Sequence, residues 1–314
     1  INVGKNPDPR KVQREVSSVL VGNGFNEIMG VSLKQSEVYK AVLPYTDEQL
    51  VYVNNTSNVT HDIMRPDMLL SGLMSIEHNQ NRQNADLKFF EFGRSYLREE
   101  DQFLEKQHLS LFMTGMRWNE SWLNTEKKKV DAFSLKAIVD SILDRFGLSN
   151  LQQVQFSDER FAYAMSYHRG PQVLVEFGQV SPKIAKSMGI KADVFYADLN
   201  WKALIKTLKK QKIHFEQMSK FPAVRRDLAL VVENAVKFSD IVQIAKRQGK
   251  KLLKSVNLFD VYRSVEQLGE DKKSYAVSFI FEDTTKTLKD KEITKIMDAL
   301  MKEYQSKLSA QIRS

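Results

Sequence analysis

DLALVV (Asp227–Val232), FSDIVQIAKRQGK (Phe238–Lys250), LLKSVNLFDVY (Leu252–Tyr262), KKSYAVSFIFE (Lys272–Glu282), DKEITKIMDALMKEY (Asp290–Tyr304) and LSAQIR (Leu308–Arg313) follow one another with short breaks. The third and fourth segments are rich in β-branched and aromatic residues, and in the first, third, fourth and sixth the apolar side chains tend to alternate, as strands require. In the second and fifth, Ile241, Ile244 and Ala245, then Ile293, Ile296, Met297 and Leu300, recur at the three- and four-residue spacing of a helix. The order strand, helix, strand, strand, helix, strand is a split β-α-β unit repeated once, the ferredoxin-like plan. Such a fold covers one face of its sheet with two helices and leaves the other open.

Alternation along each strand sorts side chains between those faces. Leu228, Leu230 and Val232, then Phe259 and Val261, then Tyr275, Val277, Phe279 and Phe281 are expected to pack on the helices. Asp260, Tyr262, Ser274, Ala276 and Ser278 are then expected on the open face. A sheet face that merely meets water favours Lys and Glu; this one offers a ring, a carboxylate and small hydroxyls. A ring can stack a nucleobase, worth ~1–3 kcal/mol, and a carboxylate or hydroxyl can read a base edge. The same pattern also fits an ordinary sheet with a half-exposed tyrosine. Arg225 and Arg226, just before Asp227, suit either an ion pair with Asp227 or Asp260, or a phosphate contact. Lys246, Lys250 and Lys251 suit a general electrostatic surface.

Charge points the same way. The 314 residues carry a net charge of +8, with 42% hydrophobic and 27% charged residues. Residues 206–314 hold 23 Lys/Arg against 14 Asp/Glu, whereas residues 1–205 hold 24 against 25. The excess therefore lies wholly in the last third, as a solvated surface or as the footprint of a polyanionic partner. The chain has no cysteine, which excludes disulfides and thiolate metal sites and fits a reducing, cytoplasmic setting. No apolar run approaches a membrane span and no signal peptide opens the chain. It begins at Ile1 and is expected to be part of a longer protein.

The first two-thirds read as an α+β domain on an antiparallel sheet. Asp8 and Pro9 open a helix carrying Val12, Val16, Val19 and Leu20, which Gly22 and Gly24 end. NEIMGVSL and EQLVYVNN read as strands, SEVYKAV and MLLSGLMSIEHNQNR as helices, and LKFFEFGRSYL and HLSLFMTGM as strands. DAFSLKAIVDSILDRFGL is an amphipathic helix with Leu135, Ile138, Val139, Ile142 and Leu143 on one stripe. LQQVQFS, RFAYAMSYHRG, QVLVEFGQV and DVFYADLN read as strands, and SPKIAKSMGI as a short helix. WKALIKTLKKQKIHFEQMSK reads as a basic connector, which sets the domains at residues 1–205 and 220–314 with the connector at 206–219.

The blocks FPAVRRDLALVV, LFDVY, KKSYAVSFIF, TLKDKEI and AQIR occur in order across residues 220–314. Together they closely resemble the ferredoxin-fold anticodon-binding domain (FDX-ACB) at the C-terminus of the bacterial phenylalanyl-tRNA synthetase β subunit. THDIMRPDMLLSGLMSIEHNQNR, LKFFEFGRSYL, DAFSLKAIVDSIL and FGQVSPKIAKSMGI resemble that subunit's catalytic-like module, of class II synthetase fold, over most of residues 1–205. The resemblance implies that Asp260, Tyr262 and Ser274 fall where the family contacts anticodon bases of tRNA-Phe. After FDVY many members have a Gly-containing turn, where this chain has RSVEQLGED. The resemblance also implies that the first module is not the active site and packs against the α subunit, which makes the aminoacyl-adenylate. The parent phenylalanine–tRNA ligase would then be an α2β2 heterotetramer that attaches phenylalanine to tRNA-Phe with ATP and Mg²⁺. The editing domain, the N-terminal tRNA-binding parts and the residues that hold Mg²⁺ lie upstream in the family. This chain alone is expected to bind neither ATP nor Mg²⁺ and to catalyse nothing.

The residues agree with that expectation. An adenylating site clamps ATP phosphates with arginines, yet FFEFGRSYL has only Arg94, and a closing motif rich in Gly and Arg has no counterpart. Arg65 and Arg82 read as structural or interface residues. GNGFNE follows a helix and lacks a third glycine, so it makes a poor phosphate loop. His61, His78, His108, His168 and His214 show no metal-ligand spacing. Thr60, His61 and Asp62 are neighbours in sequence without a nucleophile elbow. Trp118 and Trp122 stand at helical spacing and read as core or interface anchors. Two other functional classes remain open on sequence: a free-standing RNA-binding adaptor built from synthetase parts, and a nucleotide-dependent ligase active in its own right. Adenylate formation would mark the ligase, and co-purification with an α subunit would separate synthetase subunit from adaptor.

Overall fold

The computed structural model describes residues 8–54, 59–148, 151–208 and 218–313. The chain divides into two compact units, Ile1–Lys212 and Ile213–Ser314.

Unit 1 runs α1 (Pro9–Gly22), β1 (Asn26–Glu27), β2 (Leu33–Lys34), α2 (Ser36–Val42), β3 (Val51–Tyr52), a 3-10 turn at Val59–His61, β4 (Ile63–Met64) and α3 (Leu69–Gln80). It continues β5 (Leu87–Glu99), β6 (Gln102–Thr114), α4 (Ala132–Arg145), β7 (Gln152–Phe156), β8 (Phe161–Arg169), β9 (Gln172–Val180), α5 (Pro182–Ser187), β10 (Val194–Asn200) and α6 (Trp201–Leu208). Seven strands form one sheet in the order β1-β5-β6-β10-β9-β8-β7, antiparallel except for the β1–β5 pair.

Alternation along this sheet builds a core on each face. Phe90, Leu109, Leu111, Val175, Phe177, Ala197 and Leu199 meet α1, α4 and α6 on one side. Phe89, Phe112, Ala164 and Tyr196 meet Tyr39 of α2 and Leu69, Leu70, Leu73 and Ile76 of α3 on the other. The helices start where local chemistry dictates. Asp8 accepts a hydrogen bond from Arg10 N ahead of Pro9, and Asp131 forms a capping box with Ser134 at α4.

Several sequence expectations need correction here. NEIMGVSL is not one strand: the chain leaves the large sheet after Glu27 and enters a small three-stranded sheet at Leu33. Among the described residues of EQLVYVNN, strand is confined to Val51–Tyr52. Trp118 and Trp122 lie in a loop rather than a helix, 61% and 85% exposed, so neither is a core anchor. The basic connector begins as α6, an apolar helix whose Trp201 packs edge-on against Phe92 and Phe146. Residues 209–217 of the connector, including His214, lie outside the described residues.

Unit 2 runs β11 (Val224–Glu233), α7 (Phe238–Gly249), β12 (Leu253–Tyr262), α8 (Val265–Leu268), β13 (Lys272–Phe281), α9 (Asp290–Leu308) and β14 (Gln311–Arg313). The sheet order is β12-β13-β11-β14, all antiparallel, with the two split β-α-β units interleaved. Leu230, Val232, Tyr275, Val277, Phe279 and Phe281 pack on Ile241, Ile244 and Ala245 of α7 and Ile293, Met297, Leu300 and Tyr304 of α9. Tyr304 donates its hydroxyl to Ile241 O across the two helices, at 3.1 Å.

Candidate nucleic-acid interface

The register of unit 2 arranges the uncovered side of its sheet as four cross-strand rows. Tyr262, Ser274, Val231 and Gln311 make the first, and Asp260, Ala276, Ala229 and Arg313 the second. Asn257, Ser278 and Asp227 make the third, and Ser255, Ile280 and Arg225 the fourth. The central strand thus supplies a floor of Ser274, Ala276 and Ser278, with Ala229 beside it. Ser274 is only 8% exposed and Ser278 only 4%, so both floor serines lie below taller flanking side chains. Asp260 is exposed and Tyr262 is 41% exposed. The Tyr262 hydroxyl donates to Gln267 Oε1 of α8 at 3.2 Å, holding the ring at the end of the trough. Such a trough can stack a base on Tyr262 and accept base N–H groups at Asp260.

Phe259 does not face the helices as alternation predicts. The pairing shifts by one residue between Leu258 and Asp260. Leu258 then opposes Val277 and Val261 opposes Tyr275, leaving Phe259 as the extra residue of a β-bulge. Its ring lies 5.3 Å from the Arg225 guanidinium and it is 50% exposed. Arg225 belongs to the open-face rows, so Phe259 does too. Val261 keeps its pairing with Tyr275 but stays 44% exposed at the edge. The missed signal was the adjacent apolar pair Leu258-Phe259, which strict alternation cannot bury on one side. Arg313, Gln311 and Asp227 were missed because their places depend on cross-strand register.

The other expected contact residues divide between the two sides. Arg225 makes a two-pronged ion pair with Asp227, at 2.8 and 3.1 Å. Its guanidinium is held more firmly protonated by the hydrogen bond to that carboxylate. Arg226 points to the opposite side, where it pairs with Asp290 at the start of α9 at 2.7 Å. Lys246 belongs to α7, and Lys250 and Lys251 follow its C-terminus in the helical layer. These four side chains therefore do not join Asp260 and Tyr262 in one site.

Unit 1 carries its own polar row across β5, β6, β10 and β9: Glu91, Ser110, Asp198 and Glu176 stand in register. Each carboxylate has a basic partner. Arg65 reaches Glu91 at 2.7 Å with both side chains almost wholly buried. His108 Nδ1 lies 2.8 Å from Asp198, and Arg160 bonds Glu176 at 2.9 Å and Asp158 at 2.8 Å. Arg94 pairs with Glu105, and Arg82 donates to His78 O. A triphosphate needs uncommitted cations; Arg65, Arg94 and Arg160 are already engaged with carboxylates and Arg82 with a main-chain carbonyl, so these arginines do not fit a nucleotide clamp.

Ser95 Oγ, 2.7 Å from His108 Nε2, completes a serine–histidine–aspartate chain. Ser95 is 3% exposed within β5, so no acyl group reaches its oxygen and the chain is structural. Asp62 of the Thr60-His61-Asp62 triplet instead accepts from Ser36 N and Oγ at the start of α2. No group of three His, Asp or Glu among the described residues converges on a metal position.

Residues 1–201 match the family described as "Phenylalanyl tRNA synthetase beta chain CLM domain", and residues 219–313 match "Ferredoxin-fold anticodon binding domain". The chain is 43% identical to the phenylalanine–tRNA ligase β subunit of Bacteroides thetaiotaomicron over 99% of its own length and 39% of that protein. For the Bacteroides fragilis subunit the identity is 41%, covering 96% of this chain and 38% of the relative. For Porphyromonas gingivalis it is 35%, with the same coverage. The chain thus spans about two-fifths of the length of these curated relatives. A pyrrolysyl-tRNA synthetase from Desulfitobacterium hafniense shares the fold at a TM-score of 0.51, with 16% identity over 65% of this chain and 70% of that one. The chain belongs to the phenylalanyl-tRNA synthetase β-subunit family and corresponds to its C-terminal region, the CLM domain followed by the ferredoxin-fold anticodon-binding domain.

Proposed function

We propose that unit 2 binds the anticodon loop of tRNA-Phe on its open sheet face, and that unit 1 is a non-catalytic scaffold that packs on the α subunit. The holoenzyme would be the α2β2 phenylalanine–tRNA ligase of the cytoplasm, its ATP- and Mg²⁺-dependent chemistry residing in the α subunit. The observation that carries this reading is the trough: an exposed carboxylate, Asp260, and a half-exposed ring, Tyr262, above a floor of small residues on the sheet face opposite α7 and α9. The domains are assigned as residues 1–205 and 220–314, joined by residues 206–219. The engaged arginines of unit 1 support its scaffold role. No helix of the described residues is long and apolar enough to cross a membrane.

The test is tRNA-Phe binding by the full chain at fixed ionic strength. Tyr262→Ala should cost ~1–3 kcal/mol if a base stacks there. Exchanging the anticodon should weaken the wild-type protein more than it weakens Asp260→Ala. Equal losses in the two proteins would remove Asp260 from base reading, and an unchanged affinity for Tyr262→Ala would remove the stacking role. Co-purification with the α subunit tests the scaffold assignment separately.

A further inference from the structure

We propose that Phe259, backed by Arg225, is a second base-stacking platform, so that the open face of unit 2 takes two unpaired nucleotides, one on Tyr262 and one on Phe259, with Asp260 between them. The inference rests on the RNA-binding reading above and deepens it.

Three observations converge. The first is the bulge itself. Bulges on edge strands commonly re-aim a side chain at a functional surface, and β12 is an edge of its sheet. Here the extra residue is a phenylalanine, while Leu258 and Val261 keep their places opposite Val277 and Tyr275. The ring is thus dispensable to the core, and half of the residue meets solvent.

The second is the support behind the ring. Asp227 grips Arg225 through two hydrogen bonds, and the guanidinium lies 5.3 Å from the Phe259 ring centroid. A flexible exposed phenylalanine would have to lose rotamer freedom on binding. This one is oriented in advance by a cation that is itself fixed. Arginine and aromatic planes together are a recurrent surface for unstacked bases.

The third is spacing. Phe259 and Tyr262 are three residues apart on an extended strand, roughly 10 Å along it, and their rings do not form a close aromatic pair among the described residues. Each ring is therefore free to take a base of its own, and Asp260 stands between them in the chain, within reach of the base edges.

The experiment measures anisotropy of labelled tRNA-Phe with the full chain, comparing wild type with Tyr262→Ala, Phe259→Ala, Phe259→Leu and Phe259→Trp. Loss of a stacked base corresponds to about 5- to 140-fold weaker binding. Phe259→Ala and Phe259→Leu should both show a loss in that range, because leucine keeps the bulk without the ring, and Phe259→Trp should retain affinity. Single abasic substitutions through the anticodon loop then place the bases. One abasic position should abolish the effect of Phe259→Ala, and a different one that of Tyr262→Ala. If Phe259→Ala or Phe259→Leu binds like wild type while Tyr262→Ala is weakened, the second platform is wrong and the RNA-binding reading survives. If both variants are cancelled by the same abasic position, the face holds one base and not two. If wild-type protein shows no binding to tRNA-Phe, the underlying reading fails with it. Circular dichroism of Phe259→Leu should match wild type, since Phe259 is the half-exposed extra residue of a bulge.

Discussion

Arg160 illustrates how single residues hold unit 1 together. It bridges Asp158 and Glu176 on the polar side of the large sheet, and burial of its cation is outweighed by those two carboxylates, which hold it charged. At Asp158 burial favours the neutral acid, but the hydrogen bonds from Arg160 prevail and its pKa lies below the ordinary value. A depressed carboxylate contributes stability above its unfolded pKa, near 4, and loses it as pH falls through the lower folded value. Asp67 acts in the opposite sense: burial raises its pKa, so its contribution fades as pH rises through that raised value. Asp158→Asn should therefore lower the melting temperature of unit 1 at pH 7 and flatten its decline below about pH 4. Tryptophan fluorescence can follow this, because Trp118, Trp122 and Trp201 all lie in unit 1. A melting temperature and acid slope equal to wild type would remove the pair from the stability of the unit. None of this was legible beforehand. Arg65 could be recognised as structural because the partners of a nucleotide site were missing, but Glu91 as its counter-ion, and the His108–Asp198 pair 90 residues apart, follow from strand register alone.

Elements were legible where one period governs a long segment. The stripes of α4, α7 and α9 could be read from spacing because each helix presents one apolar face to one sheet. Short pieces whose shape depends on a tertiary contact could not. The chain leaves the large sheet near Gly30, whose N–H donates to the buried Glu91 carboxylate, and NEIMGVSL contains no sign of that partner. The Phe259 bulge is the same lesson in the open-face site: Asp260 and Tyr262 were placed by alternation, and the ring beside them was misplaced by it. Close packing between elements gives a sharp test. Gly72 lets α3 sit on Phe112 of β6, and a Cβ there would lie 2.0 Å from the ring's Cζ. Alanine at a helix interior normally gains about 1 kcal/mol over glycine. Here Gly72→Ala must displace a fully buried ring between two core layers, so a net loss of ~1–3 kcal/mol is expected. That corresponds to a fall of several degrees in the fluorescence-detected melting temperature for a domain of this size. A melting temperature at or above wild type would mean that α3 and β6 separate at little cost.

At the scale of the whole molecule, the basic residues of the helical layer and the residues proposed to read bases belong to the same unit but to different sides of it. The open face is nearly balanced, with Arg225 and Arg313 in rows that also hold Asp227 and Asp260. Lys246, Arg247, Lys250 and Lys251 at the end of α7, and Lys291, Lys295 and Lys302 on one exposed stripe of α9, sit in the helical layer instead. Electrostatic attraction to RNA and discrimination among bases should therefore separate experimentally. Each phosphate neutralised adds roughly 0.7 to 0.9 to the slope of log affinity against log salt. A loop-length single-stranded RNA confined to the sheet face should show a shallow slope, and intact tRNA-Phe, long enough to reach beyond that face, a steeper one. Lys250→Gln with Lys251→Gln should then reduce the tRNA slope by up to about two, leave the oligonucleotide slope unchanged, and weaken every anticodon variant alike. Tyr262→Ala should do the reverse, lowering affinity for both RNAs without altering either slope. If the lysine substitutions changed the oligonucleotide slope as much as that of tRNA, a single strand would have to touch both sides of the unit, and the division of labour between its two faces would be wrong.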